Sequence, residues 1–467
     1  MDNRIHDATI PLIQRHRQES IAYIHRPLAI LNGHQGEITA EQFLSHVKQL
    51  AKTLPEHKYA INLCSNRYLF MVSLCAAIVR KQTNLLPPNK NTITQKALYK
   101  RYSNSYVIHD GGLSESGPQS EKELSQLDLS TLSLRDGDDF EVPVIAADHI
   151  AVISFTSGST GNSQPIEKTW GTLTASTEIN RQYMVPNKVD TFYQLATVPG
   201  QHMWGLETSI LLALMANVCV VDNKPFFPED IKVILATLPN PKILVSTPVH
   251  LRALVASPMG LLSVDRVLCA TAPLSQSLAQ QTEKYFSAQL REIYGCSEIG
   301  SMAFRDTAHN EVWSCFDGIE FTIKSDKKVM VGTAHVLHAI ELQDTIVMTG
   351  EKQFRLEGRA TDMINIAGKR GSLYEINQVL QAFPGLIDGT VFFPPQDRTV
   401  PRLVALVVLK AGISKQDLSD YFWSRLDSAF VPRPILLVPS LLREENGKLP
   451  RQRLIDLYHD LICKETE

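Results

Sequence analysis

The run Ser154-Phe-Thr-Ser-Gly-Ser-Thr-Gly161 gathers groups that suit an anion. Gly158 and Gly161 let the backbone turn and expose its N–H groups, and Thr156, Ser157, Ser159 and Thr160 add hydroxyl donors. Such a loop can wrap phosphate oxygens, although an ordinary polar surface loop has the same composition. The nucleoside-triphosphatase P-loop is excluded, because no Lys stands where GxxxxGK[ST] needs one. A second cluster, Arg291-Glu-Ile-Tyr-Gly-Cys-Ser-Glu298, brings a ring, a hydroxyl and a carboxylate together. An aromatic face suits a nucleobase and a carboxylate suits a hard cation, while a strand ending in an ordinary turn is the plain alternative. Glu445-Asn-Gly-Lys-Leu-Pro-Arg451 adds an ammonium on a glycine turn, which standing alone reads as a solvated lysine.

Taken in order, these segments resemble the adenylate-forming acyl ligases. That superfamily comprises acyl- and aryl-CoA synthetases, peptide-synthetase adenylation domains and luciferases. Phe155 to Gly161 is similar to its phosphate loop, with Ser163-Gln164 replacing the usual Pro-Lys and Lys168 expected to restore a positive charge nearby. Tyr294-Gly-Cys-Ser-Glu298 resembles Tyr-Gly-x-Thr-Glu. The resemblance implies that Tyr294 packs on adenine, Ser297 bonds the α-phosphate and Glu298 binds Mg²⁺. Ala270-Thr-Ala-Pro-Leu274 stands in the place of the turn whose backbone edges the adenine, which assigns Thr271 and Ala272 to it. The ribose carboxylate has two candidates. Glu351, in Thr349-Gly-Glu, lies eight residues before Arg359, and Asp344 lies fifteen before it. Only the longer spacing leaves room for two short strands and a turn, so Asp344 is assigned.

Gly358-Arg359-Ala-Thr-Asp-Met-Ile-Asn-Ile-Ala-Gly-Lys-Arg370 resembles the family's hinge segment. The resemblance implies Arg359 near the nucleotide phosphate and ribose, Thr361 as the hinge and Gly368 facing the acceptor thiol. Lys369 and Arg370 read equally as a solvated pair or as the lining of a pantetheine entrance. Lys448 takes the place of the catalytic lysine. Val198-Pro-Gly-Gln-His202-Met-Trp204-Gly205 resembles Pro-x-x-His-x-x-Gly, which implies His202 beside the carboxylate and, with Trp204, a wall of the acyl pocket. A capped buried helix is the competing reading of that stretch. Ser246-Thr-Pro-Val-His250 is expected at the next strand end as another wall of the pocket, and Cys296 reads as an inert small residue rather than as pocket lining. The Phe155–Trp170 string, with Pro87-Pro88 and Phe226-Phe-Pro228, is similar to short ligases of aryl-polyene and related polyketide-type pathways, which implies an aryl or unsaturated acid.

These segments need elements to hold them. Glu37 to Leu54 has helical spacing, Tyr59 to Leu63 reads as a strand, Leu69 to Val79 as a buried helix and Thr83 to Pro88 as a strand and turn. This βαβ rhythm predicts a layered sheet. Gly111 to Pro143, rich in Gly, Ser, Asp and Glu, reads as a surface connection. His149 to Ser154 is a buried strand entering the phosphate loop. Asp344–Met348 and Gln353–Leu356 predict a hairpin turning at Thr349-Gly-Glu. Beyond Arg359 a small α+β unit is expected, with a helix over Leu373 to Phe383, a strand over Leu403 to Leu409 and a helix over Lys415 to Phe430.

The chain has 467 residues, 44% hydrophobic and 20% charged, enough to bury a large core. Forty-six Lys and Arg against 49 Asp and Glu leave a net charge of −3, which speaks against binding nucleic acid by bulk charge. No apolar stretch reaches the roughly 18 residues of a membrane span. Met1 to Leu12 is too polar for a signal peptide, and seven cysteines without CxxC spacing read as reduced thiols of a cytoplasmic protein. The expected architecture is α/β: a large multi-sheet layered domain over 1–360 and a small mobile α+β lid over 361–467. The expected function is a ligase using ATP and Mg²⁺ to activate a small carboxylic acid as acyl-AMP, then passing it to the pantetheine thiol of CoA or an acyl carrier protein. Transfer to a carrier protein only, and a catalytically decayed nucleotide-binding regulator, are the alternatives.

Overall fold

The structure is a computed structural model that describes residues 8–111, 125–155, 164–186, 191–257, 262–324, 328–336, 338–359, 362–366, 369–394, 402–444 and 447–465. Thr156, Ser157, Gly158, Ser159, Thr160 and Gly161 of the phosphate loop, and Thr361 and Gly368 of the hinge segment, lie outside the described residues. The chain divides into two compact units. The first comprises Met1–Ser246, Val264–Leu268 and Gly295–Ser301, and the second Thr247–Ser263, Cys269–Tyr294 and Met302–Glu467. Among the described residues no helix is long and apolar enough to cross a membrane.

The first unit opens with β1 (Ser20–Leu28) and β2 (His34–Thr39), followed by α1 (Ala40–Thr53) and β3 (Tyr59–Asn62). Next come α2 (Arg67–Val79), β4 (Thr83–Leu86), β5 (Ser105–His109) and β6 (Gln126–Asp128). β7 (Ile150–Phe155), β8 (Pro165–Thr169), α3 (Trp170–Met184), β9 (Phe192–Ala196), β10 (Val218–Val221) and β11 (Lys242–Ser246) follow. One sheet runs β8-β7-β4-β3-β5-β6, and a second run of strands is ordered β11-β9-β10-β1-β2. Helix α1 starts at Ala40, three residues after the sequence suggested. The Thr39 hydroxyl accepts from the Gln42 N–H while the Gln42 amide oxygen accepts from the Thr39 N–H. That capping box ends β2 and begins the helix. Helix α2 is apolar all round and buried, as a helix enclosed on every side must be. Phe43 of α1 meets Tyr68 of α2 edge to face at 6.2 Å in the same core as Phe70 and Trp170. Residues 125–143, expected at the surface, are partly core: Leu129 and Leu134 are buried.

β7 and β8 pair antiparallel, with Phe155 opposite Pro165 and Lys168 opposite Val152. β7 also pairs parallel with β4, deep in the sheet, and its run Ala151-Val-Ile153 is buried.

The second unit contains α4 (Pro248–Ala256), β12 (Gln289–Cys296, whose last two residues belong to the first unit), β13 (Gly300–Arg305) and β14 (Trp313–Cys315). The predicted hairpin is β15 (Asp344–Gly350) and β16 (Gln353–Arg359). Its strands are longer than expected and the turn is Glu351-Lys352, one position later. The α+β portion is β17 (Met363–Ile366), β18 (Lys369–Ser372), α5 (Leu373–Gln381), β19 (Leu386–Phe392), β20 (Val404–Leu409), α6 (Lys415–Trp423), β21 (Ile435–Leu437) and α7 (Arg451–Glu465). The sheet β19-β20-β21 is covered by α5 and α6 through Ile376, Leu380, Leu418 and Phe422. Helix α6 ends at Trp423, short of the expected Phe430. The Asp427 carboxylate accepts from the Ala429 N–H at 3.0 Å, a local side-chain bond that competes with helix.

Candidate active site

In the first unit the segment after Tyr294 is a tight reversal. A side-chain carbon at Gly295 would lie 2.4 Å from the Gly300 carbonyl oxygen, and Gly300 sits at φ +104°. Both positions require glycine. The turn leaves Ser297 half-buried and the Glu298 side chain exposed. Lys168, expected to restore a positive charge near the phosphate loop, is buried, and its ammonium donates to the Glu298 carbonyl oxygen. Burial pushes its pKa down, opposed by the Glu207 charge. Glu207 accepts from the Ser301 hydroxyl at 2.7 Å and from the Ser301 N–H at 3.2 Å. Burial pushes its carboxyl up, and the Ser301 bonds and Lys168 oppose that. The Cys296 thiol is pushed up to about 12 by burial and by the Glu298 charge, which fits an inert filler.

The Pro-x-x-His-x-x-Gly stretch is equally constrained. A side-chain carbon at Gly205 would lie 1.9 Å from the Pro199 carbonyl oxygen, so the chain closes on itself there. His202 stands at the N-cap of the short helix Met203–Leu206, yet its side chain makes no capping bond. The capped-helix reading is half right: a helix begins here, but the imidazole does not cap it. Trp204 is buried and its indole N–H donates to the Ser246 carbonyl at 3.4 Å. Sequence reasoning missed Arg67. Its guanidinium donates to the carbonyls of Ala196 at 2.9 Å and Val198 at 2.7 Å and to the Ser209 hydroxyl, so it anchors the chain leading into Pro199. Burial lowers its pKa to about 10. The available signal was one arginine heading the otherwise apolar Tyr68–Val79 run.

In the second unit the predicted nucleotide residues meet. Tyr294 donates its hydroxyl to Asp344 Oδ2 at 2.7 Å, and its ring packs against Trp313 and Phe354, with centroids 5.6 and 5.8 Å away. Asp344 lies directly opposite Arg359 in the hairpin, with Arg359 Nε 3.4 Å from Asp344 Oδ1. Glu351 is exposed at the hairpin turn. Thr271 adopts φ +85°, a strained conformation for a β-branched residue and one that recurs at ligand clamps. Glu292, two residues before Tyr294, accepts from the Leu274 N–H, from Thr307 Oγ1 at 2.6 Å and from Arg305 Nε at 2.7 Å. That buried hub ties the Thr271-Ala272 turn to β12, and Arg305 stacks on the Trp313 ring at 4.5 Å. Ala272 and Asp362 line one cavity of about 610 Å³.

Lys448 is exposed on a loop that is itself held. Arg443 forks onto Asp388 at 2.6 and 2.9 Å and donates to the Gly447 carbonyl at 2.9 Å, and the Glu444 N–H donates to the Lys448 carbonyl. A side-chain carbon at Gly447 would lie 3.3 Å from Thr247 Oγ1 and 3.7 Å from Thr271 Oγ1, so the loop passes beside the strained turn. Lys369 pairs with Asp427 at 2.6 Å. Among the described residues no group of three or more His, Cys, Asp or Glu side chains could hold a metal. One exposed carboxylate, Glu298, fits Mg²⁺ all the same, because that ion takes one or two carboxylates and completes its shell with phosphate and water oxygens.

Comparison with known proteins bears on the whole assembly. The AMP-binding enzyme family matches residues 49–332. The chain is 29% identical over 237 residues to a 4-coumarate–CoA ligase from Rhodobacter capsulatus, a match spanning 50% of this chain and 57% of that protein. It is 20% identical over 373 residues to a 3,4-dihydroxybenzoate–[aryl-carrier protein] ligase from Bacillus anthracis, covering 76% of this chain and 86% of the relative. Its fold superposes with TM-score 0.78 and 17% identity on O-succinylbenzoate coenzyme A synthetase from Bacillus subtilis, solved with ATP and magnesium ion, over 96% of this chain and 100% of that one. At that identity the likeness concerns the mixed α/β multi-sheet fold alone.

Proposed function

The chain belongs to the AMP-binding enzyme family, and from that premise we propose that it is an AMP-forming acid–thiol ligase for an aryl or unsaturated carboxylic acid. The observation that carries the reading is the Tyr294–Asp344–Arg359 arrangement: a ring backed by two aromatics and a carboxylate held from two sides. A held carboxylate can accept both hydroxyls of a vicinal diol, and the ring face suits adenine.

The substrate carboxylate attacks the α-phosphorus of ATP in line, the bond to the bridging oxygen breaks and pyrophosphate leaves. Two anions approach one another in that step, and the Lys448 ammonium stabilises the charge that develops between them. Ser297 donates its hydroxyl to the α-phosphate, Arg359 serves the phosphate and ribose, and the backbone at Thr271 and Ala272 edges the base. The residues Thr156 to Gly161 cradle the leaving phosphates. Glu298 would hold Mg²⁺, which would supply charge neutralisation at the phosphates. His202 and Trp204 border the acid. In the second step a pantetheine thiol attacks the mixed-anhydride carbonyl and AMP leaves with the bonding pair. We assign this change of task to rotation of a lid over 361–467 about Thr361, with Gly368 facing the thiol and 1–360 as the adenylating body.

The two relatives' names, one a CoA ligase and one a carrier-protein ligase, support an aryl acid and leave both thiol sources in play. A cytoplasmic setting, where free CoA, carrier proteins and ATP coexist, agrees with this chemistry. Acid-dependent exchange of pyrophosphate into ATP tests the first step. Product analysis with CoA and with a holo carrier protein tests the second: rapid thioester formation on CoA alone contradicts a carrier-only enzyme. ATP binding without turnover on any acid would favour the decayed regulator instead.

A further inference from the structure

We propose that Lys168 and Glu207 are a buried positioning pair for Glu298, holding the two ends of the Glu298–Ser301 turn and so setting where the exposed Glu298 carboxylate points. The inference rests on the reading of Glu298 as the carboxylate that takes the metal. Lys168 holds the first end, through its ammonium on the Glu298 carbonyl. Glu207 holds the other, accepting from both the N–H and the hydroxyl of Ser301.

Three features set these two residues apart from ordinary buried charges. Lys168 lies on the edge strand β8 opposite the buried Val152, yet its side chain is itself buried, and a Leu or Val there would be buried with no desolvation cost. Glu207 begins a wide helical turn over Glu207–Leu211, the kind of local distortion that redirects a side chain. Gly300 has no room for a side chain because a Cβ would lie 2.2 Å from Glu207 Oε1. One side-chain-intolerant glycine and two oppositely charged side chains therefore converge on one four-residue turn. Neither charged side chain touches a proposed substrate group, so both are positioning residues that act through Glu298.

The test compares wild type with Lys168→Met, Glu207→Leu, the double variant and Glu298→Gln. Three quantities are read: melting temperature, hydrogen–deuterium exchange of the Ile299–Ser301 amides, and the Mg²⁺ concentration giving half-maximal pyrophosphate exchange. Each single variant leaves one buried charge unpaired and should melt well below wild type. The double variant should recover most of the melting temperature while its Ile299–Ser301 amides exchange faster. Its half-maximal Mg²⁺ should rise roughly tenfold or more, as for loss of an outer-shell partner, with the KM for the acid little changed. A double variant with wild-type amide protection and wild-type Mg²⁺ requirement would overturn the proposal and leave the pair a packing feature. If the charge variants do not fold, Ser301→Ala removes one Glu207 partner without removing a charge and carries the same readouts. Glu298→Gln with an unaltered Mg²⁺ requirement would overturn the metal reading itself, whatever the pair does.

Discussion

A carboxylate that grips two ribose hydroxyls must itself be held, or the entropy of ordering it offsets what the new bonds contribute. Asp344 meets that condition and Glu351 does not. The first has the Tyr294 hydroxyl on one oxygen and Arg359 near the other, while the second projects from the turn. Asp344→Asn should therefore raise the KM for ATP by roughly 10-fold or more, the cost of a charged hydrogen bond. Glu351→Gln should leave it unchanged, and steady-state kinetics with ATP varied would show both. Arg67 makes a different demand. Arg67→Met leaves the carbonyls of Ala196 and Val198 buried without their donor, at about 1–3 kcal/mol each. Urea unfolding should record a loss in that range, and the KM for the acid should rise because the same strand end leads to His202.

At the scale of elements, much is legible in the sequence. The strand at Tyr59, the buried helix ending at Val79 and the hairpin opening at Asp344 follow from periodicity, since each has one clear hydrophobic pattern. Boundaries failed where a side chain intervened, as with Thr39 capping α1 and Asp427 ending α6 early. The motif residues were legible from their order along the chain. Their supports were not. Glu292, Arg305, Lys168 and Glu207 act across 13 to 130 positions of sequence, and nothing local marks which partner a buried charge will find. Lys168 shows the limit well: its charge is legible in the sequence, and its bond to the Glu298 carbonyl, 130 positions away, is not. The glycines give the sharpest prediction here. Gly205→Ala places a methyl group 1.9 Å from a backbone oxygen, which no rotamer relieves. Circular dichroism melts should show a large destabilisation, of more than about 2 kcal/mol, whereas Gly332→Ala, with open space around it, should be near neutral.

At the scale of the whole molecule, a net charge of −3 and a two-step reaction are compatible because local groups carry the electrostatics. If residues 361–467 act as a lid, a substitution at its hinge should separate the two half-reactions. Thr361→Pro should preserve pyrophosphate exchange and slow thioester formation, and single-turnover transfer from preformed acyl-AMP would measure the second directly. Equal loss in both half-reactions would argue against a hinge at that position. The central claim is that the chain adenylates a carboxylic acid with Lys448 at the reacting oxygens. It is tested most directly by pyrophosphate–ATP exchange across a panel of aryl and unsaturated acids, with wild type and Lys448→Ala side by side. The account predicts acid-dependent exchange in the wild type and a fall of roughly 100- to 1,000-fold in the variant. No exchange with any acid, or equal exchange by the two proteins, would contradict it.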